Sequence, residues 1–402
     1  MYMNVFYIPY LLLSMKIVHV VEPFASGIAT FVRSLVENLQ EDLHIIVHGE
    51  REQVMKSAVV KQHFPKDNVR FIRWKSAQRE ISLRKDTVAF IELYNILRRL
   101  KKQFSIDAVH LHSSKSGFLG RLACKMAGIN TVIYTPNGAP FLVKGTRFTN
   151  YLYKQLEKLG SVFGGQVVCC SPSEWQAYKA LGINAVNINN GVAIRKDLIK
   201  SKSNPLITKR NTNELVVMPK VAGGVLPKLS PTARPPKFRV VTSGRIEDQK
   251  NPALFNAIAR YFEEFSDFEF CWVGDGILRQ QLTSKNIIIT GWLSSEESMR
   301  LIAEADLYLS TSLFEGLPFS VLEALSLKKP VLLTDCVGNR DIVNKGLNGN
   351  LFRNEDEAIV KILQYYNNQD MLKVMGEYSR QHCLQEFDVR STFASYRDLY
   401  KS

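Results

Sequence analysis

Two doubly wound α/β halves facing each other across a cleft are what the sequence predicts, and three observations predict them. Short apolar runs alternate with helix-patterned segments through residues 15–200 and again through 238–385. A proline-rich, basic run without sustained periodicity separates the two sets at residues 201–237. The 402-residue length exceeds what one hydrophobic core usually holds.

In chain order, the first half offers the strand-like runs KIVHVV, LHIIVHG, AVHLH, TVIYT, QVVCCS and AVNINNGV, with helical patterns over 28–39, 88–100, 118–127 and 172–181. Strand–helix alternation of this kind builds a parallel sheet with helices on both faces. Ser171 is expected to cap the helix that follows it, with Glu174 closing a capping box. After the linker, FRVVTSG, a helix over 252–265, FEFCWVG, NIIITG, ADLYLSTS, a helix over 318–326, PVLLTD and closing helices repeat the scheme. Ligands of such sheets bind at the carboxyl ends of the strands. Residues 1–14, MYMNVFYIPYLLLS, are apolar but too short to cross a bilayer and carry no basic leader, so they read as an extension from a start codon assigned too far upstream or as a short membrane-touching tail, the former preferred.

Apolar content of 46% with 22% charged residues fits a soluble globular protein. Six cysteines without a C-x-x-C pair or disulfide framework read as buried thiols of a reducing, cytoplasmic compartment. The formal charge of +14 calls for an anionic partner. Basic residues crowd the stretch from Arg70 and Arg73 through Arg79, Arg84 and Lys85 to Lys101 and Lys102, interleaved with Phe71, Trp74, Phe90 and Tyr94. This stretch is expected to dock on an anionic membrane surface or a lipid-linked diphosphate. No nucleic-acid-binding signature accompanies it, so nucleic acid is not expected as a partner.

The chemistry concentrates in STSLFEGLPFSVLE. Pro318 suits the first turn of a helix, which puts Glu315 in the preceding loop and Glu323 about a turn and a half into the helix. Backbone N–H groups at that helix start favour phosphate, while carboxylates accept from sugar hydroxyls, so one junction can hold both ends of a sugar nucleotide. Upstream, Gly244 ends a strand, and Arg245 and Lys250 can set two cations beside a diphosphate. Asp275, between Gly274 and Gly276, reads as a turn residue. No D-x-D cluster marks a metal site, so none is expected. His110 and His112 alternate along AVHLH and are expected on opposite sides of the strand, which speaks against a shared metal. The absence of G-x-G-x-x-G speaks against a dinucleotide cofactor.

Together these stretches, with SGRIEDQKNP, VGDG, TGW, EGLPFSVLEAL, TDCVGNRDIV and KGLNGNLF, resemble family 4 of the retaining glycosyltransferases, the "glycosyl transferases group 1" of GT-B fold. The resemblance implies a donor site of Gly244, Arg245, Lys250, Gly274, Glu315, Gly316, Leu317, Pro318, Phe319 and Glu323, with Glu315 on the donor sugar, Glu323 on the ribose, and Arg245, Lys250 and Glu315 carrying catalysis. It implies an acceptor side of Gly27, His112, Asn137 and Gly138, and a final helix, 386–402, crossing back to the first half. Asn137 stands where many members have His, which removes a titratable group from that position. The implied activity is metal-independent transfer of a sugar, with retention, from a nucleoside diphosphate sugar, taken as a UDP-sugar, to a glycan or polyprenyl-diphosphate-linked acceptor in surface polysaccharide assembly. No cofactor is required beyond the donor, and the setting is the inner face of the cytoplasmic membrane. A nucleotide-sugar epimerase of the same fold and a non-catalytic sugar-nucleotide-binding subunit are the competing readings.

Overall fold

A computed structural model describes residues 15–50, 57–78, 82–142, 146–198 and 237–402. The 1–14 extension, Arg79 and all of the 201–237 linker except Lys237 lie outside them. The first half contains β1 (Lys16–Val21), α1 (Ser26–Asn38), β2 (Leu43–His48), α2 (Ser57–Lys61), β3 (Val69–Arg73), α3 (Leu83–Phe104), β4 (Ala108–His112), α4 (Ser114–Ala127), β5 (Val132–Thr135), α5 (Arg147–Val162), β6 (Gln166–Cys169), α6 (Pro172–Ala180) and β7 (Ala185–Asn187). The second contains β8 (Phe238–Ser243), α7 (Pro252–Tyr261), β9 (Phe268–Val273), β10 (Ile287–Ile289), α8 (Ser295–Glu304), β11 (Leu307–Ser310), α9 (Phe319–Ser326), β12 (Val331–Thr334), β13 (Gly349–Phe352), α10 (Glu355–Asn367) and α11 (Gln369–Glu386), followed by α12 (Val389–Lys401).

All strand pairs in both sheets are parallel, in the orders β3-β2-β1-β4-β5-β6-β7 and β10-β9-β8-β11-β12-β13. Each order reverses beside its first strand, between β1 and β4 and between β8 and β11. These two switch points are where ligands bind in open α/β sheets. The inner strands are covered on both faces, which is why β2 and β4 are buried at every position.

Sequence periodicity missed β3, a partly exposed edge strand whose VRFIR has no regular alternation and leaves Arg70 and Arg73 exposed. It also missed α2, α5 and α8. Trp74, read as part of a basic surface, is fully buried and donates its indole N–H to the Ala89 carbonyl at 2.9 Å. Arg73 pairs with Glu50 at 2.9 Å, and Lys101 caps the end of α4 through the Ala127 and Gly128 carbonyls. Five cysteines are buried and Cys336 is partly so; burial pushes the Cys124 thiol up to about 12. No described helix is long and apolar enough to cross a membrane.

The last helix packs on the first sheet. Phe393, Tyr396 and Tyr400 of α12 join Ile17, Ala108, Ile133 and Val168 in one core. The Tyr400 hydroxyl lies 2.7 Å from His110 Nδ1, and the Tyr396 hydroxyl 3.2 Å from Thr135 Oγ1.

Candidate functional site

At the carboxyl end of β8 the chain turns at Gly244 with φ 140°, and at the end of β9 it turns at Gly274 with φ 142°. Both values lie where side chains are disfavoured. The two turns rest on each other, since a Cβ on Gly274 would stand 2.2 Å from the Gly244 carbonyl oxygen. Trp272 donates to that same carbonyl at 2.9 Å. Asp275 is occupied locally, accepting from the Gly276 N–H at 2.8 Å and from Arg279 at 3.0 Å.

A short 3-10 turn, Asp248–Lys250, then presents Lys250, and Asn251 in the left-handed region caps α7. Lys250 Nζ donates to Glu315 Oε1 at 2.7 Å, with side chains only 18% and 8% exposed. Burial works against the Lys250 charge, but the Glu315 carboxylate and further negative neighbours outweigh it, so its pKa stands above the usual lysine value. Gln249 Nε2 donates to Glu315 Oε2 at 3.3 Å, and the Leu313 N–H donates to the Gln249 carbonyl at 2.8 Å. The loop after β11 is thus fastened to the loop after β8, in one unit at the switch point. Arg245 pairs with Glu247 at 2.7 Å. Both expected phosphate cations therefore already have carboxylate partners. The sequence reading missed Glu247 and Gln249 because their partners declare themselves only in space.

Pro318 precedes α9 as its cap residue rather than opening it, so the helix starts at Phe319 and Glu323 sits just over a turn inside. Glu315 lies in the loop. Gly316 faces the first half: a Cβ there would stand 3.0 Å from both Cys170 Sγ and the Gly138 nitrogen. Burial pushes the Glu323 carboxyl up to about 7, opposed by the charge of Arg33 on α1.

From the first half, Gly27 approaches the Phe319 ring, with a Cβ position 3.8 Å away. Asn137 has φ 57°, and its amide donates to the Thr135 carbonyl at 3.2 Å. Gly138 donates its N–H to Glu174 Oε1 at 2.9 Å. The capping expectation for Glu174 needs correction. Ser171 Oγ accepts from the Glu174 N–H, but Glu174 gives its other oxygen to the Cys170 N–H at 2.9 Å, so no reciprocal bond to Ser171 forms. Glu174 instead ties the 137–138 loop to the end of β6.

His112 does not reach this space. It is fully buried, with Nε2 3.2 Å from His19 Nδ1. The opposite-sides expectation for His110 and His112 is also wrong. Strand side chains repeat every two residues, so both lie on one face with ring centroids 3.9 Å apart. Among the described residues, His19, His110 and His112 form one group close enough to share a metal. All but one of their ring nitrogens are engaged, those of His110 by the Tyr400 and Thr135 hydroxyls. His44 Nε2 faces the Leu39 carbonyl at 3.0 Å, an acceptor only, so it carries the proton; neutral imidazoles then pass the donor role from His19 Nε2 to His44 Nδ1, and from His112 Nε2 to His19 Nδ1. His112 Nδ1 is left buried without a bond.

All ten expected donor-side residues, with Gly27 and Asn137, line one cavity of about 460 Å³ between the halves; His112 and Gly138 do not line it. Ser243, Trp292 and Ser298 line it too. Another cavity, of about 580 Å³, lies along β13 and α10, where Asp335 is already paired with Arg340 and Arg353.

Residues 230–382 match the family described as "Glycosyl transferases group 1", and residues 26–190 the family described as "Glycosyl transferase 4-like domain". The chain is 27% identical over 406 residues to an Escherichia coli protein named UDP-Gal:alpha-D-GlcNAc-diphosphoundecaprenol alpha-1,3-galactosyltransferase, with 96% of each chain covered. It is 34% identical over 131 residues to the lipopolysaccharide 1,6-galactosyltransferase of Salmonella typhimurium, covering 30% of this chain and 36% of that one. Among solved structures, Anabaena HepE in complex with UDP and glucose superposes with a TM-score of 0.71 at 17% identity, over 97% of this chain and 100% of that one. Sucrose-phosphate synthase from Thermosynechococcus elongatus superposes with a TM-score of 0.72 at 14% identity, over 96% and 98%.

Proposed function

Because the chain belongs to the glycosyl transferases group 1 and has the GT-B fold, we propose that it moves a hexose-like unit from a UDP-sugar to a lipid-diphosphate-linked glycan, with retention at the anomeric carbon and without a required metal. The setting is surface polysaccharide assembly on the cytoplasmic membrane. The observation that carries this reading is the Lys250–Glu315 pair, held at the β8/β11 switch point in the cavity that the first half also lines. The E. coli relative, similar along nearly its whole length, supplies the donor and acceptor classes.

In this reading the second half binds the donor. Arg245, Lys250 and the N-terminus of α9 stand where negative charge gathers as the bond from the anomeric carbon to the phosphate oxygen breaks, so positive potential is built in without an ion. The diphosphate draws Lys250 toward itself, and Glu315 is freed to accept from the sugar hydroxyls. Glu323 accepts from the ribose. The acceptor hydroxyl enters past Gly27 and Asn137 on the face the phosphate leaves, and its proton goes to the departing phosphate oxygen. Asn137 orients by hydrogen bonding, consistent with its inability to titrate. The halves close on water-sensitive chemistry through Gly316 against Gly138.

The test is transfer from a panel of UDP-hexoses to a GlcNAc-diphospho-lipid, with the new linkage read by NMR. Glu315→Gln and Lys250→Ala are each expected to slow transfer at least about tenfold, roughly 1.4 kcal/mol of transition-state stabilisation. Wild-type rates in both variants would refute the site, and an inverted linkage would refute retention.

A further inference from the structure

α5 is amphipathic the wrong way round. Its buried positions include Glu157 and Gly160, while Phe148 (74% exposed), Tyr151 (61%), Leu152 (45%), Leu159 (50%) and Val162 (68%) face outward. At 3.6 residues per turn these five fall in one stripe about 100° wide, interrupted only by Gln155. The inversion has a local cause. Glu157 is held inside by Arg121 at 3.2 Å and by the Tyr134 hydroxyl at 2.8 Å, which fixes which face turns to the sheet.

We infer that this outward stripe of α5 is a docking surface for an anionic lipid bilayer. Charge complementarity selects that occupant. Arg147, Lys154 and Lys158 follow one edge of the stripe, and the sole acid of α5, Glu157, is buried and paired. A helix with an aromatic–aliphatic face edged by cations lies in a bilayer interface with its apolar face among the acyl chains. At the carboxyl end, Lys125 donates to the Val162 carbonyl, and its neighbour in sequence, Met126, is 57% exposed. Placement adds a use, which rests on the proposed reaction. The turn Pro140–Leu142 packs against α5 and begins two residues after Gly138, so a seated α5 holds the acceptor side of the cleft at the lipid surface.

The experiment is co-sedimentation of the full chain with vesicles of phosphatidylglycerol and phosphatidylethanolamine, against vesicles of phosphatidylcholine alone. Wild type is expected to pellet with the anionic vesicles and to be released by high salt. The double variant Phe148→Glu with Leu159→Glu, both surface positions, is expected to lose at least tenfold in partition, with an unchanged circular dichroism spectrum. Its turnover on a soluble short-chain acceptor should match wild type while transfer to a vesicle-embedded acceptor falls. Vesicle binding requires no transfer, so wild type that docks through α5 yet transfers nothing sustains the surface and counts against the reaction. Equal pelleting of wild type and variant, no pelleting of wild type, or a wild-type dimer that the variant dissolves would each overturn the docking proposal.

Discussion

Glu323 shows how one residue couples a donor to pH. Its folded pKa, about 7, stands above the ordinary 4.5 because burial disfavours the charged carboxylate. A raised carboxyl pKa means the folded state holds the proton more tightly than the unfolded one. Its stabilising contribution is therefore complete below about 4.5 and lost as pH rises through about 7. In the proposed site the ribose binds the ionised form, and ligand binding and proton release are linked. UDP affinity is expected to rise severalfold between pH 6 and 8, and Glu323→Gln is expected to flatten that rise. Calorimetric titration of UDP at several pH values checks it, and an unchanged slope in the variant would remove Glu323 from the ribose.

At the scale of elements, the junction of β11 with α9 was legible in the sequence because its logic is local: a strand, a Glu-Gly turn, then a proline at a helix start. The β8 turn was legible for the same reason, a glycine closing an apolar run. What holds the two together was not. Lys250 meets Glu315 across 65 positions of chain, and Arg245, a cation the sequence offers to phosphate, stands paired with Glu247. α5 escaped because its apolar spacing serves an outer face rather than a core, and β3 because its two exposed arginines, three positions apart, break the strand period. The opposite-sides expectation for His110 and His112 failed on period alone. Close approach is the element-level determinant that glycines leave as a trace. A Cβ on Gly338 would stand 2.6 Å from the Gly316 carbonyl oxygen and 2.8 Å from that of Glu315, at φ 83°. Gly338→Ala is expected to displace the Glu315 loop, lowering kcat by about tenfold or more and destabilising the fold by about 1–3 kcal/mol. Steady-state kinetics with thermal unfolding checks both. Gly346, with nothing near its Cβ position and φ 79°, is the control: alanine there carries only the backbone strain and should leave kcat unchanged.

Over the whole molecule the buried imidazoles concentrate acid sensitivity in the first half, where the burial-raised carboxyls of Glu157 and Glu174 only partly oppose them. The first half buries His19, His44, His48, His110 and His112, and burial depresses every one of them, His44 to about 4 and His112 to about 3. For a histidine lowered in the folded state, the unfolded chain binds more protons between the two pKa values. Stability is then whole above about 6.5 and lost as pH falls below it, by about 1.4 kcal/mol per group for each pH unit. The second half contains Glu323, whose contribution returns over that same descent, and one histidine lowered by burial, His382, in place of five. α12 belongs to the acid-labile side, because Tyr400 is bonded to His110 and the helix lies in the core of β1 and β4. Moving from pH 7.5 to 5.5 should therefore open β1, β2, β4 and α12 while β8, β9 and β11 stay closed. Incubation at each pH followed by a deuterium pulse at one common pH, with peptides read by mass spectrometry, measures this directly. Simultaneous loss of protection in both sheets would show that the interface, rather than the buried imidazoles, governs acid unfolding. His44→Gln, which keeps a donor for the Leu39 carbonyl without a titrating ring, should shift the first-half midpoint to lower pH.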